Sequence, residues 1–500
     1  MYIGDYLGRR AIYSPNKLAI VDAGKNPAGH FTYAQLNERA NRLAGWLQET
    51  GGVGKGDRVA LLARDGVAHL DLFFACGKLG AVHVPLNWRL HEREIGDILA
   101  DVTPKVFFFA AEFSQVAHAI DHPCLLAIDG FVEQLGNVPA GAIITPTLEA
   151  EDIAALIFTG GTTGRAKGAQ ISHRMIAWNS LNTIIHDLHH DDIYLNVFPL
   201  FHTGGLFVYT LPQIILGGTT ILVRQFEPTQ VLHLLESHQV TVFAGVPTMY
   251  QLLTQAANWP AANLTNLRFC TSGGAPLPVP LVRQYEQEKG IRFKQGFGMT
   301  EFGPGIFALA AEDAINKAGS IGRPNFFVDA RVVDDQNRPV APGQIGELVL
   351  KGPSQSSGYF NNPAASAAAV DSEGWFHTGD LARYDEDWYF TIVDRKKDMF
   401  ISGGENIYPA EIEAALYEHP AVQQCAVIGL PDARWGEVGL ACIVLKKGVT
   451  ASTEELLAHL SGRLARYKIP RRIELVDSLP ISPAGKILKR DLRWRFTIDD

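Results

Sequence analysis

The sequence predicts an α/β protein with two domains. The first is a large N-terminal domain of parallel α/β sheets with a small β-rich subdomain, and the second is a small, mobile α+β domain. Apolar runs alternate with amphipathic stretches as far as Cys270, which is typical of parallel strands covered by helices on both faces. From Gly319 the sequence is rich in β-formers and turn residues, and a charged run at 394–398 marks a boundary. We therefore predict domains at 1–396 and 397–500.

The individual elements follow from hydrophobic periodicity. The predicted strands cover 19–21, 31–33, 57–62, 81–85, 105–109, 154–158, 219–223, 240–244 and 267–270. The predicted helices cover 34–50, 67–79, 91–101, 173–186, 228–238 and 247–257, with Ser172 as an N-cap. The β-rich subdomain covers 328–350 and 386–393, and the elements of the last domain cover 410–417, 422–428, 441–445 and 453–466.

Composition excludes several classes of protein. The chain has 500 residues, 47% of them hydrophobic, and a formal charge of −9 without a long basic run. This size implies more than one domain, and this charge argues against non-specific nucleic-acid binding. Five cysteines without a CxxC pair favour a reducing compartment over a disulfide framework or a zinc site. The N-terminus has no basic segment followed by an apolar run, so we expect no signal peptide and a cytoplasmic protein.

One long stretch without Asp, Glu, Lys or Arg needs to be weighed as a membrane span. It runs from 193 to 223 but contains two prolines and two glycine pairs. These residues interrupt the continuous helix of about 20 residues that a bilayer requires. We predict a buried α/β core with a functional turn and no transmembrane segment.

The loop after the predicted strand 154–158 is the most informative motif. Residues 159–168 contain four glycines, three threonines, Arg165 and Lys167. Glycines allow backbone N–H groups to form a concave anion site, and the hydroxyls and Lys167 add donors and a positive charge. The spacing is not that of a Walker A loop, because Arg165 and Ala166 separate Gly164 from Lys167. The loop fits a polyphosphate.

Three further stretches carry chemistry. Residues 295–301 combine glycine-flanked Phe297 with Thr300 and Glu301, and a carboxylate beside a triphosphate is a suitable Mg²⁺ ligand. Asp380, with Arg395 further along the chain, can hold the hydroxyl groups of a ribose. Lys486 lies on a turn near the C-terminus, where a mobile domain can deliver it.

In this order and spacing, and together with residues 402–413, these stretches resemble the adenylate-forming (AMP-forming) acyl-CoA synthetase family, in its fatty acyl-CoA and coumarate-type branch. The resemblance covers about residues 10 to 495. It implies Mg²⁺ with ATP, and CoA as co-substrate. The ATP and AMP residues that it implies are Thr159, Gly160, Gly161, Thr162, Thr163, Gly164, Lys167, Gly274, Ala275, Pro276, Gly296, Phe297, Gly298, Met299, Thr300, Asp380, Ile392, Arg395 and Lys486.

The resemblance also implies the roles of individual residues. Lys486, Thr300, Glu301 and His202 would be catalytic; Glu301, and more weakly Thr163, would bind Mg²⁺; and Lys397 would be the hinge. The acyl pocket would consist of His202, Thr203, Gly204, Gly205, Gly245, Val246, Ser272, Gly273 and Gly298. The CoA site would consist of Ser402, Gly403, Gly404, Trp435, Tyr467 and Arg471.

The sequence departs from the family pattern at two places in the phosphate loop. Gly160 stands where a serine is usual, which removes a hydroxyl donor, and Ala166 replaces the usual proline before Lys167. We expect weaker ATP binding at most.

The implied function is ATP-dependent ligation of a carboxylic acid to CoA through an acyl-adenylate. The small apolar lining of the pocket suits a medium- or long-chain fatty acid, which we place first, and an aryl or hydroxycinnamic acid. Two further functions stay open on sequence alone: a stand-alone enzyme that loads a carrier protein, and a non-catalytic nucleotide- or CoA-binding sensor. The sequence also leaves peripheral membrane contact and homo-oligomers open.

The role implied for Lys486 gives a first prediction. Lys486→Ala should slow adenylation by about 10²–10³-fold, the effect of removing one transition-state donor. Thioester formation from preformed acyl-adenylate should be spared, because Lys486 would act in the first half-reaction alone. Rapid-quench assays of each half-reaction test this, and equal losses in both would contradict the role.

Overall fold

The computed structural model describes residues 4–25, 27–136, 143–159, 166–481 and 487–498. The chain divides into two compact units. The first comprises Met1–Ala330 and Leu350–Phe376, and the second comprises Arg331–Val349 and His377–Asp500. The second unit therefore takes in much of the β-rich segment that the sequence analysis placed in the N-terminal domain. The boundary at 396/397 stays a prediction, namely that the C-terminal domain rotates about this point in the chain.

The strands are short and many of them are buried. In chain order they are β1 (Leu18–Asp22), β2 (Gly29–Thr32), β3 (Arg58–Leu62), β4 (Val82–Pro85), β5 (Val106–Phe109), β6 (Leu125–Ala127), β7 (Ile153–Thr159), β8 (Lys167–Ser172), β9 (Ile193–Asn196), β10 (Thr219–Leu222), β11 (Val242–Gly245), β12 (Phe269–Gly273), β13 (Phe293–Phe297), β14 (Phe307–Leu309), β15 (Arg323–Pro324), β16 (Asp329–Val333), β17 (Gly346–Lys351), β18 (Phe376–Tyr384), β19 (Phe390–Arg395), β20 (Phe400–Ser402), β21 (Glu405–Ile407), β22 (Val422–Asp432), β23 (Gly436–Leu445) and β24 (Arg472–Leu475).

The α-helices lie between these strands. They are α1 (Tyr6–Tyr13), α2 (Tyr33–Glu49), α3 (Val67–Leu79), α4 (Glu92–Val102), α5 (Ser114–His118), α6 (Phe131–Gln134), α7 (His173–Ile185), α8 (Thr210–Leu216), α9 (Pro228–Ser237), α10 (Pro247–Gln255), α11 (Val279–Lys289), α12 (Pro363–Ala369), α13 (Pro409–Tyr417), α14 (Thr453–Ser461) and α15 (Lys489–Ile498). A π-helical turn, Gly204–Val208, precedes α8, and a 3₁₀ turn, Thr300–Phe302, follows β13.

The described strands of the first unit form two sheets. One has the order β6-β5-β3-β4-β7-β8, and the other has the order β15-β14-β13-β12-β11-β9-β10-β1-β2. Their inner strands are parallel, as between β11 and β12 or β3 and β4. Pairs at the edges, such as β7 with β8 and β1 with β2, are antiparallel. The predicted parallel α/β architecture is confirmed, with antiparallel edges added.

A layer of helices lies between the two sheets and packs against both. One buried cluster contains Ile20 of β1 and Ile157 of β7, which belong to different sheets. Apolar residues of α2, α3, α7 and α8 fill the space between them, among them Leu36, Phe73 and Ile176. Burial of this shared apolar surface holds the two sheets in one unit.

The second unit contains a small α+β fold. Its described strands β20 to β24 form a sheet in the order β21-β20-β23-β22, with β24 beside β23. The β22–β23 ladder extends from Val422↔Leu445 to Asp432↔Gly436. Helices α13 and α14 bury Ile412 and Leu456 against this sheet. A four-stranded sheet, β16-β17-β18-β19, precedes it in the chain.

Element boundaries differ from the predictions at capping residues. The predicted strand 31–33 ends at Thr32, whose side chain caps α2 in a capping box with Gln35. His91 is likewise the N-cap of α4 rather than its first residue. Ser172 accepts a hydrogen bond from the Met175 backbone N–H at 3.3 Å, so the predicted cap of α7 is confirmed. The predicted element 453–466 contains helix α14, which ends at Ser461.

The structure locates the cysteines and the long uncharged stretch. All five cysteines are free thiols, and four of them are buried. Residues 193–223 form β9, the π-helical turn, α8 and β10, so they are α/β core. Among the described residues, no helix is both long and apolar enough to cross a bilayer.

Gly322 and Gly319 form a matched pair for a stability test. Both have positive φ, +89° and +86°, but a Cβ on Gly322 would overlap the backbone at Ala308, whereas nothing lies within 4 Å of one on Gly319. Gly319→Ala should cost about 1–2 kcal/mol in backbone strain alone, and Gly322→Ala about 1–3 kcal/mol more. Thermal unfolding of both variants measures the difference, and equal shifts would contradict the role of the close approach.

Candidate active site

The carboxyl ends of neighbouring parallel strands bring most of the predicted pocket residues together. Gly245 at the end of β11 is in register with Ser272 of β12, and Gly273 of β12 is in register with Gly296 of β13. Phe297 ends β13 and lies edge-to-face with Phe307, at 5.9 Å between ring centroids. Such an edge of a parallel sheet is the usual ligand site of α/β folds.

Two predicted pocket positions require glycine for steric reasons. A Cβ on Gly205 would overlap the carbonyl group of Pro199, and one on Gly298 would overlap the carbonyl group of Pro304. Gly274 has a φ of +81°, a conformation that favours glycine. At Gly205 and Gly298 the chain thus packs directly on its own backbone, which fixes the course of the segments that carry these residues.

Gln295 fixes the loop that follows β12, and sequence analysis did not assign it a role. Its Oε1 accepts a hydrogen bond from the Leu277 N–H at 2.8 Å, and its Nε2 donates to the Ser320 carbonyl at 2.9 Å. The predicted adenine-binding residues Gly274, Ala275 and Pro276 lie directly before Leu277. A buried polar side chain with two backbone partners holds such a loop in one conformation.

Two residues of the predicted acyl pocket, His202 and Thr203, directly precede the π-helical turn. Thr203 and Thr300 are both buried, and their hydroxyl oxygens are 3.5 Å apart. His202 is exposed, and its Nδ1 accepts a hydrogen bond from the Gly204 N–H at 3.1 Å. Val246 is the N-cap residue of α10, next to Gly245.

The phosphate loop joins β7 to β8. Thr159 and Lys167 are paired across these antiparallel strands, and the Thr159 hydroxyl donates to the Lys167 carbonyl at 3.4 Å. The two ends of the loop are thus held together. The predicted residues Gly160, Gly161, Thr162, Thr163 and Gly164 lie outside the described residues.

Glu301 has a partner that sequence analysis missed. The Tyr359 hydroxyl donates to Glu301 Oε1 at 2.9 Å, and Lys167 Nζ lies 5.1 Å from the centroid of the Tyr359 ring. The sequence gives little indication of this contact, since Tyr359 lies in a polar stretch after β17. A carboxylate supplies the oxygen ligands that Mg²⁺ prefers, so the chemistry of Glu301 fits its predicted metal role.

In the second unit, the predicted ribose residues are neighbours. Asp380 and Arg395 are register partners in the β18–β19 ladder, and the Arg395 Nε is 3.7 Å from Asp380 Oδ1. The Asp380 N–H donates to the Thr378 hydroxyl at 3.0 Å. Ile392 lies on β19 opposite Ala382.

The predicted CoA residues form a second cluster in the same unit. The Gly403 N–H donates to the Trp435 carbonyl at 2.8 Å, and a Cβ on Gly403 would lie 2.7 Å from the indole ring. The Arg471 guanidinium lies 5.5 Å from the centroid of that ring. Tyr467 is half exposed, and Ser402 pairs with Gly436 in the sheet.

The predicted hinge has partners in the last helix. Arg493 of α15 donates to the carbonyl groups of Lys397 and Asp398, at 3.4 and 3.1 Å. Burial lowers the pKa of Lys397, with the positive charge of Arg395 acting in the same direction. The hinge role itself stays a prediction. Lys486, the predicted catalytic lysine, lies outside the described residues.

Comparison with known proteins decides the family. Residues 8–360 match the model of the AMP-binding enzyme family, and residues 411–486 match that of the AMP-binding enzyme C-terminal domain. The chain belongs to the AMP-binding enzyme family. The family inferred from the sequence motifs is confirmed.

Relatives extend over the whole chain. A feruloyl-CoA synthase of Amycolatopsis sp. is 43% identical over 99% of both chains. The long-chain-fatty-acid–CoA ligase FadD13 of Mycobacterium tuberculosis is 37% identical over 99% of this chain and 98% of its own. The crystal structure of ATP-bound MatB from Rhodopseudomonas palustris superimposes with a TM-score of 0.90 at 32% identity, over 99% of both chains.

The AMP-binding enzyme described here is therefore an acyl-CoA synthetase. It joins a carboxylic acid to CoA through an acyl-adenylate and uses Mg²⁺ with ATP. The acid, ATP and CoA are its small-molecule partners.

The packing of Gly403 against Trp435 leads to a prediction about the synthetase. Gly403→Ala should displace the indole and slow thioester formation about tenfold, because both residues belong to the predicted CoA cluster, while adenylation is retained. Gly404→Ala is the matched variant: its φ is also positive, +87°, but nothing lies within 4 Å of an added Cβ. Its effect should be smaller.

The measurement is the KM for CoA together with acid-dependent ATP–pyrophosphate exchange in each variant. A fall in exchange as large as the fall in thioester formation would show that the substitution disturbs the whole enzyme and would contradict the prediction.

Proposed function

We propose that this synthetase activates an aryl carboxylic acid with a ring hydroxyl group, of the hydroxycinnamic type. Sequence analysis placed a fatty acid first, and that preference is not confirmed. The relative named as a feruloyl-CoA synthase is 43% identical, whereas the long-chain ligase is 37% identical. The higher identity to the feruloyl-CoA synthase favours the aryl acid. A pair of hydroxyl groups near the predicted acyl pocket supports the same choice independently.

The observation that carries the proposal is a pair of hydroxyl groups below the strand ends. Tyr209 Oη and Thr271 Oγ1 are 2.7 Å apart. Thr271 lies two residues before Gly273 on β12, and Thr271 Cγ2 would be 3.9 Å from a Cβ on Gly296. Tyr209 directly follows the π-helical turn Gly204–Val208. Both members of the pair therefore lie next to segments that carry predicted acyl-pocket residues, which supports a place for them at that pocket.

Apolar side chains pack around this pair. Tyr209 packs in a buried cluster with Ala244 and Phe269, and Phe198 lies against them. Within the pair one hydroxyl donates to the other, so one O–H group is left to donate elsewhere, and a hydrocarbon tail would desolvate it without accepting a hydrogen bond, which is unfavourable. A phenolic hydroxyl can both donate and accept, and an aromatic ring suits the flat apolar walls.

Residues around the strand ends support the first half-reaction. A carboxylate oxygen of the acid attacks the α-phosphorus of ATP, and pyrophosphate leaves. Thr300 and Lys167 would donate to the phosphate oxygens as charge builds on them, and Lys486 would bridge the carboxylate and the phosphate. Glu301 would hold Mg²⁺, which neutralises charge on the phosphate oxygens.

The second half-reaction needs the CoA cluster. The thiol sulfur of CoA attacks the acyl carbon, AMP leaves, and the thiol proton is released. We assign the pantetheine and nucleotide of CoA to Trp435, Arg471 and the turn at Gly403. A pivot at Lys397 would withdraw Lys486 and admit the thiol, so that one site serves both halves.

A panel of acids tests the proposal directly. We expect CoA-dependent pyrophosphate release with Mg·ATP to be fastest with ferulate or 4-hydroxycinnamate, slower with cinnamate, and slowest with octanoate and palmitate. Palmitate or octanoate as the best acid would overturn the aryl proposal. Release of pyrophosphate without any use of CoA would indicate a carrier-protein acceptor instead.

The hydroxyl pair should set the selectivity for the ring hydroxyl. Tyr209→Phe and Thr271→Val should each lower kcat/KM for ferulate about tenfold, the effect of one lost hydrogen bond with its partner left unpaired. Cinnamate, which has no ring hydroxyl, should change by less than about threefold. The measurement is the ratio of kcat/KM for the two acids.

The matched control is Tyr285→Phe, since that hydroxyl also donates inside the core, to the Tyr250 carbonyl at 2.8 Å. It should leave the ratio unchanged. Parallel losses for ferulate and cinnamate in Tyr209→Phe would mean that the hydroxyl supports the fold rather than the choice of acid.

A further inference from the structure

Tyr359 contacts two of the charged side chains on which adenylation depends. Its hydroxyl donates to Glu301 Oε1 at 2.9 Å, and its ring lies beneath the Lys167 ammonium, 5.1 Å from Nζ to the centroid. A cation over the face of a tyrosine ring is attracted to it. One side chain therefore sets the positions of both a carboxylate and an ammonium group.

The backbone around Tyr359 is held on both sides. The Phe360 N–H donates to the Gly168 carbonyl at 2.8 Å, and the Gln170 N–H donates to the Gly358 carbonyl at 2.9 Å, so the segment runs along β8. The Ser356 N–H donates to the Glu301 carbonyl at 2.8 Å. This segment thus ties the 3₁₀ turn of Glu301 to the strand that begins with Lys167.

The hydrogen bond from the Tyr359 hydroxyl occupies one oxygen of the Glu301 carboxylate, Oε1. In the part of the chain that the structure describes, no hydrogen bond or ion pair reaches the second carboxylate oxygen, Oε2. That oxygen is the one left for a metal ion.

We propose that Tyr359 is a positioning residue that holds the Glu301 carboxylate with Oε2 turned toward Mg·ATP and keeps Lys167 at a set distance from it. The inference rests on the proposed function of Glu301 as the magnesium ligand, and it holds whichever acid is activated. Partners that orient a ligating carboxylate contribute to metal affinity, since the carboxylate no longer loses rotational freedom when the metal arrives.

Binding of Mn²⁺, in place of Mg²⁺, to the full-length enzyme tests this without any turnover. Free Mn²⁺ is followed by electron paramagnetic resonance in the presence of α,β-methylene-ATP and no acid. Tyr359→Phe removes the hydroxyl and keeps the ring under Lys167. It should weaken Mn²⁺ binding about tenfold, and half-saturating Mg²⁺ in adenylation should rise by a similar factor while kcat at saturating Mg²⁺ changes little.

The control is Tyr384→Phe, which deletes another part-buried hydroxyl that donates to a backbone carbonyl, that of Val340, at 2.9 Å. It should leave Mn²⁺ affinity unchanged. In a Glu301→Gln background, Tyr359→Phe should weaken binding by less than about a further twofold, because the residue acts through Glu301.

Three results would overturn the inference: Mn²⁺ affinity unchanged in Tyr359→Phe, an equal loss in Tyr384→Phe, or additive losses in the double variant. Unchanged affinity in Glu301→Gln would overturn the metal role of Glu301 as well. If Glu301→Gln weakens Mn²⁺ binding and Tyr359→Phe does not, the proposed role of Tyr359 is wrong and the metal role of Glu301 stands. The absence of acid from the assay separates all of these outcomes from the aryl-acid proposal.

Discussion

The parallel register of β11, β12 and β13 is the constraint on which the active site depends. These strands pair Gly245 with Ser272 and Gly273 with Gly296, so all three end at one edge of the sheet. Hydrogen bonds between parallel strands cannot slip by one residue without turning every buried side chain to the wrong face. The cluster around Phe243 and Phe293 fills one face and therefore locks this register. The packing of the core, and not contacts within the pocket, therefore sets the spacing of the predicted pocket residues.

The predicted site has a second feature, the close approach of its backbone to other peptide groups. At Gly205 and Gly298 the chain comes so near to another carbonyl group that no side chain fits. These two contacts fix how the chain packs on itself beside the predicted acyl pocket. The π-helical turn Gly204–Val208 includes Gly205 and ends directly before Tyr209. Backbone contacts thus constrain the segments that carry the predicted pocket residues.

Sequence could predict the fold class, the buried strands and the residues with distinctive chemistry. Strand β7 and the Ser172 cap follow from local patterns, and Asp380 and Arg395 were expected to share a ligand and are register partners. Sequence could not identify Tyr359 or Gln295, because their partners lie 58 and 18 residues away, respectively. The hydroxyl pair of Tyr209 and Thr271 was missed for the same reason. Side-chain pairs between distant elements depend on tertiary packing, which periodicity does not contain.

The bonds between Arg493 and the carbonyl groups of Lys397 and Asp398 have a mechanical consequence. A rotation of the backbone at Lys397 has to carry α15 with it or break two charge-assisted hydrogen bonds. With Lys397 as the predicted hinge, the C-terminal helix would act as a latch, and these bonds would add to the barrier for rotation. Lys486 lies three residues before that helix. The rate of the predicted domain rotation would then depend on a helix that has no substrate contact in the proposed mechanism.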